Sequence, residues 1–229
     1  MRRLLGVFSL GLMAGLAALF AGRASDPTEQ NATALPVALG AIHPRISPNG
    51  EKIAVSYQGG IWVVPAAGGV LTRLTREEGF DHEPAWSPDG TRIAFARGPN
   101  QPGSELRLIQ AADGKELPLP KPVYVQGTYN FQKLEFHPGG RRVLSVFRAE
   151  GKDFGLAWYD LQTGELQSVG APLSGWSRYA LSPDGKSLVY STTLDKGDQQ
   201  SGNNGPQADL WKIPADGGPA QKIVRFPSR

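Results

Sequence analysis

The sequence predicts an all-β protein built from consecutive repeats of short antiparallel strands. Three observations lead to this prediction: the content of turn-forming residues, a motif that recurs four times, and the β-prone runs that follow each copy. Glycine and proline make up about 21% of the 229 residues, against about 12% in an average soluble chain. Both residues break helices, so the composition argues against a helical bundle.

The recurring motif is a hairpin turn with a proline at its centre. Its four copies occupy residues 44–50, 84–90, 134–140 and 179–185, and their central prolines lie 40, 50 and 45 residues apart. Proline fixes φ at the first corner, Asp or Asn bonds its own backbone at the second, and glycine closes the hairpin with a positive φ. We therefore expect a positive φ at Gly50, Gly90, Gly140 and Gly185. The third copy departs from the others because it lacks the Asp or Asn.

Three further strands follow the first strand of each repeat. The second strands are expected at 52–56, 92–96, 142–146 and 187–191, the third at 61–64, 106–109, 156–159 and 210–213, and the fourth at 70–74, 115–119, 165–169 and 220–224. Four strands in about 45 residues are typical of a propeller blade. The sequence thus predicts a β-propeller of four-stranded antiparallel blades with four blades recognisable, at about 43–79, 80–128, 129–174 and 175–229.

Two runs carry a resemblance to a known family. Residues 83–96, EPAWSPDGTRIAFA, and residues 61–75, IWVVPAAGGVLTRLT, resemble the WD-like repeat of TolB-type β-propellers. The resemblance extends over residues 43–226 and implies an exported propeller that works in protein–protein complexes of the cell envelope. It also implies six blades in a full ring, and the α/β domain that precedes the propeller in TolB has no counterpart here.

Three interpretations of the four blades stay open. The chain is the N-terminal part of a longer product, a small complete propeller, or a partial ring that oligomerisation completes. Residues 25–42 are a lead-in or a closing strand, and a closing strand would need a later blade that lacks one. Two functions follow: a non-catalytic scaffold that binds a protein or ligand, or the N-terminal propeller of a longer exported hydrolase, an amidohydrolase or peptidase, whose catalytic domain lies beyond residue 229.

The first 24 residues predict a signal peptide. A basic start precedes a run of apolar residues from 4 to 21, and Gly22 and Ala24 form a small-residue cleavage site. An uncleaved anchor is the alternative; after cleavage no stable membrane anchor remains. The leader carries three arginines and no acid, so the rest has 21 basic and 21 acidic residues and offers no footprint for nucleic acid. We expect a periplasmic or secreted bacterial protein.

Catalytic and metal-binding motifs are missing from the sequence. It has no cysteine, no Gly-x-Ser-x-Gly elbow, no phosphate loop and no dinucleotide fingerprint. His82 and Glu83 begin like a zinc-protease motif, but Pro84 follows and Trp86 stands where the second histidine belongs. The sequence therefore predicts no catalytic residues, no metal site and no cofactor in this chain.

A binding rim is the remaining candidate site. In a propeller the first strand of each blade lines the channel, and the loop that leads into it rims one face. The residues placed there are Asp81, His82, Glu83, Tyr129, Lys133, Trp176 and Arg178. Their mixture of charges and aromatic rings suits a protein or peptide partner, with a small molecule or anion as the alternative.

Overall fold

The computed structural model describes residues 42–98, 103–126, 133–148, 155–171, 178–193 and 208–224. Within these ranges the chain forms β-strands and turns and no helix, so none of the described residues belongs to a helix that could cross a membrane. The predicted leader, the lead-in up to residue 41, and the rim residues Tyr129 and Trp176 lie outside the described residues. The all-β class is confirmed.

The strands fall into four repeats, each antiparallel from one strand to the next. Repeat 1 contains β1 (Ile42–Ile46), β2 (Lys52–Tyr57), β3 (Gly60–Pro65) and β4 (Thr72–Arg73). Repeat 2 contains β5 (Asp81–Trp86), β6 (Arg92–Arg97), β7 (Ser104–Gln110) and β8 (Glu116–Leu117), and is followed by β9 (Tyr124–Val125). Repeat 3 contains β10 (Glu135–Phe136), β11 (Arg142–Arg148), β12 (Gly155–Asp160) and β13 (Leu166–Ser168). Repeat 4 contains β14 (Tyr179–Leu181), β15 (Ser187–Thr193), β16 (Ala208–Pro214) and β17 (Gln221–Val224).

The predicted hairpin turns join the first two strands of every repeat. The four turn glycines have φ between 69° and 76°, which confirms the expected positive φ. Each glycine amide donates to the carbonyl oxygen three residues earlier at 2.8–2.9 Å. In repeats 1, 2 and 4 the serine hydroxyl before the proline also donates to the Asn or Asp side chain of the turn.

Apolar side chains fill the space between successive repeats. Along β6, Ile93 and Phe95 pack toward repeat 1, whereas Ala94 and Ala96 pack toward repeat 3. Strand β11 shows the same alternation between repeats 2 and 4. Successive side chains of a strand point to opposite faces, so a strand buried on both faces is apolar throughout. Among the described residues, three apolar cores join the repeats, one between each repeat and the next.

Strand β9 was not predicted, and it changes the topology. Val125 pairs with Ser104 of β7 on one side and with Phe147 of β11 on the other. Repeats 2 and 3 therefore belong to one nine-stranded sheet, while repeats 1 and 4 are separate four-stranded sheets. The fourth strand of repeat 2 is also shorter than the predicted 115–119, because Pro118 has no N–H to continue the ladder.

Candidate functional site

The backbone bulges where the first strands of repeats 1 and 2 begin. The pairing skips between Ile42 and Arg45 in β1 and between His82 and Ala85 in β5. At each skip a proline follows a residue with positive φ, 54° at His43 and 52° at Glu83. A β-bulge redirects a side chain out of the regular alternation. Positive φ outside glycine costs on the order of 1–2 kcal/mol, so packing around the strand must hold these two side chains in place.

One position of the repeat carries an ionisable residue in all four copies. It lies five residues before the turn proline and is occupied by His43, Glu83, Lys133 and Arg178. Two positions later, repeats 1 and 3 add Arg45 and Glu135. We call His43, Arg45, Glu83, Lys133 and Glu135 the inner-strand cluster, because each lies on or next to the first strand of its repeat.

The carboxylate of Glu83 is the centre of this cluster. One of its oxygens lies 3.2 Å from Nε2 of His43, and the other accepts a hydrogen bond of 3.3 Å from Arg45. Burial raises the pKa of Glu83 to about 7, and the charges of Arg45 and Lys133 lower it only in part. Burial and the neighbouring Arg45 lower the pKa of His43. At neutral pH the cluster thus contains a carboxyl group that is close to its own titration point.

Lys133 is fixed through its backbone and leaves its amino group near solvent. Its carbonyl oxygen accepts hydrogen bonds from the hydroxyls of Ser145, at 3.1 Å, and Tyr179. Its Nζ lies 2.9 Å from Glu135, and about a third of the side chain is exposed. Arg45 is exposed to a similar extent. Two cationic side chains of the cluster are therefore reachable from outside the protein.

Asp81 and His82, the other two predicted rim residues of β5, are buried. Arg97 holds the Asp81 carboxylate with two hydrogen bonds of 2.7 and 3.0 Å, and it also pairs with Glu77 and Glu116. These contacts tie the start of β5 to β6 and β8. In this conformation Asp81 is enclosed and already neutralised, so its contribution is to hold the strand.

His82 is fully buried and bonds Ser104 at 2.9 Å through Nε2. Burial lowers the pKa of His82 to about 4, with a contribution from His43 that outweighs the opposite effect of Asp81. A serine next to a histidine invites comparison with a catalytic pair. Ser104 is fully buried as well, and among the described residues Nδ1 of His82 has no hydrogen-bond partner. The pair lacks both access for a substrate and the orienting carboxylate.

Arg178 lies at the start of repeat 4. Its amide donates to the hydroxyl of Ser191 at 3.0 Å, and its carbonyl accepts from the Ser191 amide at 2.9 Å. The residue is exposed, and its place on a binding rim stays a prediction.

Sequence reasoning missed His43, Arg45 and Glu135 as site residues. For His43 the signal was present, since aligning the four turn prolines places an ionisable residue five positions before each of them. Taken alone, a histidine before a proline does not indicate a site. The bulge that turns His43 toward Glu83 depends on the pairing of β1 with β2.

The described residues contain no group of three or more His, Asp or Glu side chains that could hold a metal ion. His43 and His82 have ring centroids 6.3 Å apart, whereas His137 packs edge-on against Trp158 in repeat 3. The histidines thus do not form one cluster.

A cleft of about 850 Å³ opens at the other end of repeats 1 and 2, among the hairpin turns. Its lining includes Pro48, Glu51, Asp89 and Gln110. Asp89 accepts hydrogen bonds from Ser87 and Thr91, which lower its pKa to about 2. The Asp89 carboxylate is thus occupied by hydrogen bonds within its own turn, so the inner-strand cluster is a stronger candidate site than this cleft.

The chain matches the family model described as the TolB beta propeller domain over residues 28–223. A curated relative is the uncharacterized peptidase YuxL of Bacillus subtilis (strain 168), 28% identical over 203 residues, or 69% of this chain and 30% of the relative. The chain thus spans less than a third of that relative's length.

Two solved structures share the fold at low sequence identity. The putative TolB from Agrobacterium tumefaciens has a TM-score of 0.59 at 17% identity, over 82% of this chain and 66% of that one. The beta-propeller domain of the Trilobed protease from Pyrococcus furiosus, which has an open velcro topology, has a TM-score of 0.53 at 16% identity, over 80% of this chain and 57% of that one. The repeats, the turns and the match over residues 28–223 together show that this chain belongs to the TolB beta-propeller family.

Proposed function

We propose that this chain is an exported, non-catalytic propeller that binds a polypeptide through its inner-strand cluster. The observation that carries the proposal is the ionisable residue at the equivalent position of all four repeats. Arg45 and Lys133 each pair with a carboxylate, yet about a third of each side chain stays exposed, so both keep charge accessible at the strand starts. Exposed charge beside a buried polar group suits the mixed chemistry of a peptide.

The binding test compares cluster and control variants on peptides chosen without bias. A random-peptide phage library is panned against residues 25–229, and the affinity of each selected peptide is measured by isothermal titration calorimetry. The Arg45→Met/Lys133→Met variant removes two cluster cations. The Arg141→Met/Lys186→Met variant removes the same two charges next to the hairpin turns, at the other end of the repeats.

We expect at least tenfold weaker binding to the cluster variant and unchanged binding to the control. Equal affinity for both variants would move the site elsewhere on the propeller. Failure of the library to yield any binder would remove the polypeptide function. The melting temperature of each variant shows whether it is folded.

A second candidate function is the propeller domain of a longer exported hydrolase. It is supported by the curated relative, which is named a peptidase, and by the propeller of the Trilobed protease. An antiserum against the propeller distinguishes the two functions on an immunoblot of the native cells. A band near or below the 24.5 kDa of this chain supports the stand-alone scaffold, and a much heavier band supports the hydrolase.

Export rests on the leader predicted over residues 1–24. Cell fractionation with the same antiserum should recover the protein in the periplasm or medium, with Ser25 as its first residue by N-terminal sequencing. Recovery in the cytoplasm with Met1 retained would contradict export.

A further inference from the structure

Glu83 occupies the position that an anionic ligand would take. Its carboxylate lies between His43 and Arg45, its side chain is 7% exposed, and its backbone is part of a bulge with a φ of 52°. The carboxylate comes from repeat 2, whereas both of these partners come from β1 of repeat 1. The groups form a cradle, defined here as His43, Arg45 and Lys133, around one carboxylate, and its positive charge comes from Arg45 and Lys133.

Other charged and titratable groups near the cradle already have partners. Asp81 is neutralised by Arg97 on β6, and His82 bonds Ser104 of β7. From repeats 3 and 4, Glu135 pairs with Lys133, and Tyr179 donates to the Lys133 carbonyl. With Lys133 paired to Glu135, Arg45 supplies the net positive charge beside Glu83. The net charge around Glu83 is therefore positive whenever Glu83 itself is neutral.

We propose that this cradle binds a carboxylate of the polypeptide ligand, which replaces the charge of the Glu83 carboxylate beside Arg45 and Lys133. The inference rests on the proposed function and names the chemical group that the site takes. Arginine and lysine donate charge-assisted hydrogen bonds to carboxylates, and both side chains are open to solvent. The carboxylate comes from a C-terminus or from an Asp or Glu side chain.

A proton from water accompanies the ligand. Because burial raises the pKa of Glu83 to about 7, this group gives up its charge near neutral pH at little cost. The bound carboxylate favours the protonated form, since two adjacent carboxylates repel each other. Binding should then weaken about tenfold for each pH unit above 7, where one proton must be taken up per ligand.

The test uses three tetra-alanine peptides with acetylated N-termini. One has a free C-terminal carboxylate, one is amidated, and one is amidated with a single Asp in place of an alanine. Binding to residues 25–229 is followed by NMR titration at pH 6 and pH 8.5. We expect the free-carboxylate peptide or the Asp peptide to bind at pH 6. The one that binds more strongly shows whether the site takes a C-terminal or a side-chain carboxylate. The amidated peptide without Asp should not bind.

Two variants should change the affinity in opposite directions. Lys133→Met should weaken carboxylate binding at least tenfold at pH 6. Glu83→Gln should strengthen it at least tenfold at pH 8.5 and flatten the pH dependence. A merely structural role would make both variants bind more weakly. Glu51→Gln and Arg141→Met, which change the same charges near the hairpin turns, should match the wild type.

Equal binding of the amidated and free peptides, or weaker binding to Glu83→Gln, would overturn the inference. The inference would also be overturned if peptides selected from the library bind at the cluster but none of the carboxylate peptides binds. In that case the proposed function still stands. Absence of any polypeptide binding would remove both.

Discussion

Two adjacent residues of β5 respond to burial with opposite pKa shifts. The pKa of Glu83 rises from 4.5 to about 7, and that of His82 falls from 6.5 to about 4. Burial favours the neutral form of both groups, which is the protonated carboxyl and the unprotonated imidazole. Between pH 4.5 and 6.5, a rise in pH therefore lowers the free energy of unfolding through Glu83, which stays protonated only in the folded chain. The same rise increases it through His82, which is protonated only in the unfolded chain. The two effects partly cancel.

Replacing Glu83 separates these two effects. Below about pH 4.5 Glu83 is protonated in both the folded and the unfolded chain, so Glu83→Gln should have nearly wild-type stability. As pH rises to 7 the wild type loses stability, because its folded carboxyl holds a proton that the unfolded one has released. The variant should gain about 3 kcal/mol relative to the wild type by pH 8, at 1.36 kcal/mol per pKa unit. Urea unfolding at four pH values measures the difference, and a difference independent of pH would contradict the raised pKa of Glu83.

Gly114 and Gly50 have the same backbone conformation but different surroundings. Both have φ of 76°, but a Cβ at Gly50 would meet nothing within 4 Å, whereas a Cβ at Gly114 would overlap the carbonyl of Leu74 in repeat 1, with its carbon at 2.8 Å. Gly50→Ala should cost about 1 kcal/mol from the positive φ alone. Gly114→Ala should cost about 2 kcal/mol more, because backbone must shift. If both variants lose the same free energy of unfolding in urea, the backbone of Leu74 moves away from Gly114 at little cost.

At the scale of elements, single side chains join neighbouring sheets. The indole N–H of Trp158 on β12 donates to the carbonyl of Ala215 in repeat 4 at 2.6 Å, and its ring is 1% exposed. Arg142 lies over the same ring at 5.0 Å. Trp62 on β3 makes a similar bond of 2.7 Å to Tyr57, but within its own repeat and with the ring only half-buried.

Trp158→Phe should therefore destabilise the protein more than Trp62→Phe. The first variant leaves a buried carbonyl without a donor, at a cost of about 2–3 kcal/mol including lost contacts. The second leaves a carbonyl that water can reach, at a cost of about 1 kcal/mol. Thermal unfolding of the two variants side by side measures the order, and the reverse order would refute the joining role of Trp158.

Local patterns predicted the elements that local physics determines. The turn glycines have the expected φ, and the strands after them lie where β-prone runs occur, as at 92–97. Strand β9 escaped prediction because its two residues are paired only through β7 and β11, which are distant in sequence. Likewise Asp81 and His82 look like rim residues in sequence, and only the contacts with Arg97 and Ser104 show that they are enclosed.

At the scale of the whole molecule, the repeats differ in how many neighbours support them. Among the described residues, repeats 2 and 3 each pack against a core on both faces and share the nine-stranded sheet, while repeats 1 and 4 each contribute to one core. Local opening is easiest where fewer apolar contacts resist it.

Hydrogen exchange should reflect this arrangement. Amides of β6 and β11 should exchange more slowly than those of β2 and β15, although all four are second strands of their repeats. Mass spectrometry of peptides covering these strands provides the measurement. Uniform rates, or slower exchange in β2, would show that the shared sheet adds no protection.

The pairing of β9 with both β7 and β11 also affects where the gene of a repeat protein like this one can be rearranged. A break between repeats 1 and 2, or between repeats 3 and 4, falls between whole sheets, so each piece keeps the strand pairing of its sheets. A break between repeats 2 and 3 separates residues that β9 pairs with both sides. Duplication, deletion or fusion of repeats should therefore disturb strand pairing less at the first and third junctions than at the second, so repeats 2 and 3 should be rearranged together.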